Sequence, residues 1–158
     1  MVLEKAIVGK EVLVDNETFD VDKIYKAVKE KAEDLGYFFI EKEQATRPTK
    51  YGNELKFKFS LSKEVDDFGR KDFDINLDFS NLNKVKNLDR GNCKVMIKGN
   101  VVYDYKTHWG KTKFGKFLLE FYVKVMEAEM KKKYIIPLIK DGSEFHVVIK
   151  EKFGLYNS

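Results

Sequence analysis

Residues 54–62, ELKFKFSLS, alternate without exception. Leu55, Phe57, Phe59 and Leu61 fall on one side, and Lys56, Lys58, Ser60 and Ser62 on the other. Residues 72–79, DFDINLDF, repeat the pattern, with Phe73, Ile75, Leu77 and Phe79 set against Asp74, Asn76 and Asp78. Successive side chains of a strand point to opposite faces, so two runs this strict are strands with one buried face and one wet face. Their close spacing makes them antiparallel neighbours. A lysine row then lies across from an aspartate row, which favours the ladder.

The other segments fit around this pair. KAIVGKEVLV reads as a short strand or hairpin over Ala6–Val14. Asp20 is a helix N-cap, with Val21, Ile24, Val28 and Leu35 on one face and Gly36 past the end, which predicts a helix over about 21–35. YFFIEKEQA is a strand, and RPTKYGN is a turn built on Pro48 and Gly52-Asn53. NLNKVKNLDRGN, residues 81–92, reads as a loop or a short excursion. CKVMIKGNVVYDYKTHW gives two further strands joined or bulged at Gly99-Asn100. The segment 113–133 is the best helix in the chain. Lys116, Glu120, Lys124, Glu127 and Lys131 make a narrow polar stripe, and Phe114, Phe117, Leu118, Leu119, Phe121, Tyr122, Val123, Val125, Met126 and Met130 cover most of the remainder. A surface helix needs an apolar arc of roughly 100°. This one has far more, so it is expected to be buried on two sides. Pro137 ends or kinks it. Residues 144–153 fit a helix begun at Ser143 better than an edge strand. The fold class is therefore α+β over one domain, 1–158: an antiparallel sheet of about five strands, expected to be curved, packed on an N-terminal helix and a long C-terminal helix.

Composition narrows the function. The 158 residues are 43% hydrophobic and 35% charged, with 13 Phe and a net charge of +4. That is too apolar for a disordered chain, and the Lys/Glu-rich, Pro-poor surface fits a thermophile or an AT-rich genome alike. One cysteine, Cys93, excludes an internal disulfide and any CxxC pair. No signal-like start or membrane-length apolar run is present, so a cytoplasmic location without membrane contact is expected. Charge is polarised along the chain, with a strong positive excess over 81–116 and a negative one over 64–78.

Candidate chemistry is sparse. DFG at Asp67–Gly69 lacks the other parts of a kinase. The acids of 64–74 lack calcium-loop spacing. Cys93 with His108 or His146 makes no recognisable nucleophile pair, and two histidines without further soft ligands argue against a metal site. No cofactor and no catalytic residue is indicated. Glu129, on the apolar side of the helical wheel, is a possible pocket acid. The strongest functional segment is the basic aromatic region 84–116, where lysines could neutralise phosphates and aromatic rings could stack on bases. The exposed turn within it leaves His108, Trp109, Lys111, Lys113 and Lys116 as candidate contact residues.

Two resemblances add to this. GYFFIEKE, IKGNVVYDY, Trp109 and the Phe-rich helix 113–133 resemble a set of small uncharacterised archaeal α+β proteins, whose helical endings support a helix in the tail. A curved antiparallel sheet around a long C-terminal helix also resembles the helix-grip architecture of START and polyketide-cyclase-like proteins, which implies an apolar ligand between sheet and helix. The Phe and Leu rows of this sheet tend instead to fill such a space. A non-enzymatic binding domain that contacts RNA or a ribonucleoprotein through 84–116 is the first expectation. A helix-grip-like domain that binds or acts on an apolar small molecule is the second, and a structural partner of another protein the third.

Overall fold

In the computed structural model, which describes residues 3–109 and 111–154, the two alternating runs lie side by side in one sheet. The five strands are β1 (Leu3–Phe19), β2 (Phe38–Thr49), β3 (Gly52–Glu64), β4 (Gly69–Val85) and β5 (Leu88–Tyr103), all antiparallel in the order β1-β5-β4-β3-β2. The sheet is not closed, and β1 and β2 are its edges. Helix α1 (Val21–Asp34) follows β1, with the Asp20 carboxylate accepting from the Asp22 and Lys23 amides at 3.0 and 3.3 Å. The C-terminal helical run comprises α2 (Lys113–Val125), α3 (Glu127–Met130), a π-helical turn (Lys131–Ile135) and α4 (Ile136–Lys152). This is the α+β arrangement expected, with five strands and a long helical C-terminus.

The register explains the alternation. Phe57 pairs with Leu77, Phe59 with Ile75 and Leu61 with Phe73, all buried. On the opposite face Asp78 lies between Lys56 and Lys94, and Asp74 between Ser60 and Lys98, so Asp78 has a cation from both neighbouring strands and Asp74 from one. The buried face is covered by α4 and α1. Phe145 meets Phe73 edge-on at 5.2 Å and Tyr37 at 6.0 Å, while Phe153 meets Phe19 at 5.2 Å. Leu138, Ile149, Ile24 and Val28 complete this layer. Aromatic rings thus fill the interface between α4 and the sheet.

Four expectations are corrected. Residues 81–92 are not a loop: β4 continues to Val85, turns at Lys86 with φ of +59°, and resumes as β5 at Leu88. The two strands expected to join or bulge at Gly99-Asn100 are one strand, with the register shift against β1 falling opposite these two residues. Gly99 is a close-approach site, because an added Cβ would stand 2.6 Å from the Phe73 ring and 3.0 Å from Val8. Of the two outcomes expected at Pro137, ending or kinking the helix, the first does not occur. The π-helical turn immediately precedes it, where the proline ring excludes an ordinary i→i−4 bond, and α4 continues to Lys152, so 144–152 are helical as expected. Finally, α2 is not buried on two sides. Leu119 and Val123 face the core, but Phe114, Phe117, Phe121 and Val125 are exposed.

Candidate functional site

The basic aromatic region does not form one surface. Lys84 and Arg90 lie beside the β4–β5 turn, where Lys84 pairs with Asp89 at 3.0 Å and Arg90 donates to Asn16 at 3.1 Å. Lys94 and Lys98 lie on the wet sheet face beside the aspartates of β4. Lys106 is at the other end of the sheet, paired with Asp67 at 2.8 Å. A linear excess of lysine has been dispersed by the fold, and part of it is set beside acids.

The five predicted contact residues sit at that other end. Asp104 accepts from the His108 and Trp109 amides at 2.8 and 2.9 Å, which shapes the turn between β5 and α2. Trp109 stacks on Tyr122 with ring centroids 5.5 Å apart. Thr112 caps α2 by accepting from the Gly115 amide at 2.9 Å. Lys111 and Lys113 are exposed and Lys116 is half-buried; Gly110 lies outside the described residues. Of the nearby tyrosines, Tyr103 is in the core and the Tyr105 hydroxyl donates to the Asp66 carbonyl at 2.5 Å, so neither is free to stack on a base. Glu129 is exposed on α3 and lines none of the clefts described below.

Two polar clusters escaped the sequence reading. The first is Asp66, in the turn between β3 and β4. One carboxylate oxygen accepts from the Phe68 and Gly69 amides at 3.0 and 2.8 Å. The other accepts from the Tyr134 hydroxyl at 2.8 Å and Lys133 at 2.6 Å. Burial by itself would raise this carboxyl, but Lys133, the two amides and Tyr134 outweigh it and hold the group at about 2. Gly69 allows the clamp, because a Cβ there would collide with the Tyr134 ring at 2.1 Å. DFG is therefore a packing motif: Phe68 stacks on Tyr103 at 5.6 Å and its backbone joins the Asp66 turn.

The second cluster is buried. Lys71 from β4 meets Asp141 from α4 at 2.7 Å, and the Tyr37 hydroxyl donates to the same carboxylate oxygen at 2.6 Å. Burial, then the bond to Asp141, pushes the Tyr37 phenol well above its ordinary range. A signal for this pair was present. Lys71 shares the odd-numbered phase of Phe73, Ile75 and Leu77, so the alternation itself turns it inward. The triad is saturated with partners and lines no described cleft except through Tyr37, which borders a shallow depression beside Phe38 and Phe39. Cys93 is buried as well; burial, then Asp78, pushes its thiol up and away from nucleophilic use. Among the described residues no group of three or more His, Cys, Asp or Glu could hold a metal ion, and no helix is long and apolar enough to cross a membrane.

Of the openings among the described residues, two adjoin a helix laid over the sheet. The larger, about 590 Å³, lies where α1 begins over the end of the sheet that carries the β2–β3 and β4–β5 turns. Val21, Tyr25, Leu55, Phe57 and Leu82 supply its apolar lining. Tyr25 packs on Phe57 at 5.2 Å and donates to Glu41 at 2.7 Å, so its ring is fixed as one wall. The charged groups are already committed. Asp20 caps α1, Asp22 pairs with Lys26 at 2.9 Å, and Asp89 pairs with Lys84 while accepting from the Val21 amide at 3.4 Å. Gln44, Thr46 and Asn53 make no side-chain hydrogen bond among the described residues, which leaves neutral donors and acceptors at the mouth. The smaller opening, about 490 Å³, lies between α2 and the β1 edge, with Tyr103, Val123 and Met130 as its floor and Lys5, Glu120, Lys124 and Glu127 at its rim.

No family model matches the chain, and no curated protein does. Among solved structures there is a weak likeness to norcoclaurine synthase from Thalictrum flavum in complex with dopamine and hydroxybenzaldehyde. That structure is 10% identical, with a TM-score of 0.26, over 92% of this chain and 88% of that one. A second structure of the same enzyme gives 11% identity and a TM-score of 0.24 over the same shares. At these values the likeness carries no argument about this protein.

Proposed function

We propose that the protein is a helix-grip-like binding domain for a small, mostly apolar and uncharged molecule, held in the cleft between the start of α1 and the adjoining end of the sheet. The cleft itself carries the reading. Its volume of about 590 Å³ falls in the range of small-molecule sites, and its walls combine aromatic and aliphatic side chains with a few neutral polar groups. Because Asp20, Asp22 and Asp89 already have partners, a charged ligand would have to displace an existing pair. A neutral ligand leaves them in place and uses Gln44, Thr46 and Asn53 for orientation.

This site differs from the one that the helix-grip comparison suggests. The space between α4 and the sheet is filled by Phe73, Phe145 and Tyr37, and ligand access is shifted to the sheet end under α1. Nucleic-acid contact through 84–116 has no comparable support, since that region divides between two sheet ends and an acid-matched face.

The test is a thermal-shift screen with neutral apolar compounds. A ligand at a hundredfold excess over its Kd adds about 2.7 kcal/mol of stability, about 5–10 °C in Tm for a domain of this size. Leu55→Trp, which fills the cleft, should abolish the shift while leaving the unliganded Tm nearly unchanged. A shift of equal size in wild type and Leu55→Trp would refute the assignment.

A further inference from the structure

The helical wheel of α2 has two apolar faces, and the chain covers only one. At 100° per residue, Leu119 and Val123, joined by Met130, point into the core. Phe117, Phe121, Phe114 and Val125 lie on the opposite side and are 61%, 58%, 70% and 63% exposed. Phe117 and Phe121 stack on each other at 6.5 Å with an interplanar angle of 16°, forming a continuous aromatic ridge.

The flank beside this ridge indicates what covers it. Lys113, Lys116, Glu120, Lys124 and Glu127 fall within one narrow sector, and none forms an ion pair among the described residues. Their signs are arranged in sequence: lysines at the N-terminal end, then Glu120, Lys124 and Glu127. When two such helices pack antiparallel about a two-fold axis, the same flank of each meets its counterpart in reverse order. With Phe121 on the axis, Phe117 meets the second copy's Val125. Lys116 then meets Glu127 of the second copy, and Glu120 meets its Lys124. Both of these cross-pairs are opposite in sign. The mixed charge also argues against an anionic bilayer, which would favour lysines on both flanks without intervening glutamates.

We infer that the exposed face of α2 is a self-association surface, on which a second copy of this chain docks through its own α2 in antiparallel, two-fold symmetric contact. Such an isologous patch is the usual form of a homodimer interface. A fully buried aromatic side chain removes about 150–250 Å² from water, so the three exposed phenylalanines of two copies account for roughly 800 Å². With Val125 and the charged flank the contact reaches the lower part of the range of specific interfaces, roughly 1,200 Å² in total.

Sedimentation equilibrium on the full chain tests this. The expected result is a reversible dimer of the 18.5 kDa chain. Phe121→Asp should be monomeric, and its circular dichroism unchanged, because the side chain is largely exposed in the monomer. Lys116→Glu and Glu127→Lys should each weaken the dimer about tenfold by placing like charges across the flank. An equimolar mixture of these two variants should restore affinity to within about threefold of wild type, because the heterodimer regains opposite signs at both positions. Three outcomes overturn the inference: a monomeric wild type, a dimer that survives Phe121→Asp, or a mixture no tighter than its components. Wild-type monomer that binds phosphatidylserine vesicles would overturn it in favour of a lipid surface.

Discussion

The two ends of the sheet are built differently. At the end carrying the β3–β4 turn, polar side chains lock segments that are distant in sequence. Asp66 binds the π-helical turn, and Lys71, Asp141 and Tyr37 tie β4 and the chain just before β2 to α4. At the end carrying the β2–β3 and β4–β5 turns, charges pair locally along the rim and leave the apolar lining of a cleft uncovered. Polar clusters that join distant elements close the first end, whereas at the second the ion pairs stay within one helix or between adjacent strands, and the bonds from α1 to Glu41 and Asp89 leave the apolar lining open. The contrast predicts stability to reside at the first end and binding at the second.

Breaking the buried pair has the largest expected effect. Asp141→Ala leaves Lys71 buried and uncompensated, and should cost about 3–5 kcal/mol in urea unfolding. The double change Lys71→Met with Asp141→Leu should recover most of that loss, since removing both charges avoids the orphan. An equal loss in the double variant would show that the triad contributes more than charge balance.

Asp66→Asn is next, at about 2 kcal/mol near neutral pH. The sign follows from the lowered pKa. The folded carboxyl sits near 2 against 3.8 for the free group, so its contribution is complete above about 4 and disappears as pH falls toward 2. Wild type and Asp66→Asn should therefore converge in stability below pH of about 2, and a constant gap across that range would contradict the clamp.

His146, on α4, gives the smallest effect. Burial, then Lys10 and Lys150, lower its pKa, with an opposing hydrogen bond to the Glu11 backbone. The unfolded chain then takes up a proton more readily, so stability declines as pH drops through the ordinary histidine range of about 6.5 and levels off below the folded value. His146→Gln should flatten that segment of the stability profile and leave the rest unchanged.

Much of the sheet was legible because strict alternation encodes both strand and face, and the Asp20 cap located the start of α1. The strand ends were not. Residues 80–92 extend past the covering helices, where both faces meet more solvent and the alternation fades, so their polar composition imitates a loop. The edge strands β1 and β2 were underread for the same reason. Gly99 resembled a turn residue, but only the packing of Phe73 and Val8 shows why a side chain is excluded. The Phe-rich character of 113–125 was legible, but a wheel cannot distinguish a face covered by the same chain from one left for another molecule. The cleft was illegible because its lining comes from residues 20–89 on five different elements. The basic aromatic region 84–116 shows the converse, since neighbours in sequence were sent to opposite ends of the sheet.

The most direct test is amide shift mapping on nitrogen-labelled Phe121→Asp protein titrated with Nile red, a neutral apolar probe. That background removes the aromatic ridge as a competing site. The account predicts shifts concentrated at Val21, Tyr25, Thr46, Leu55 and Leu82, and their loss in the Leu55→Trp variant. Shifts centred instead on Tyr103, Val123 and Met130, or none at all, would contradict it.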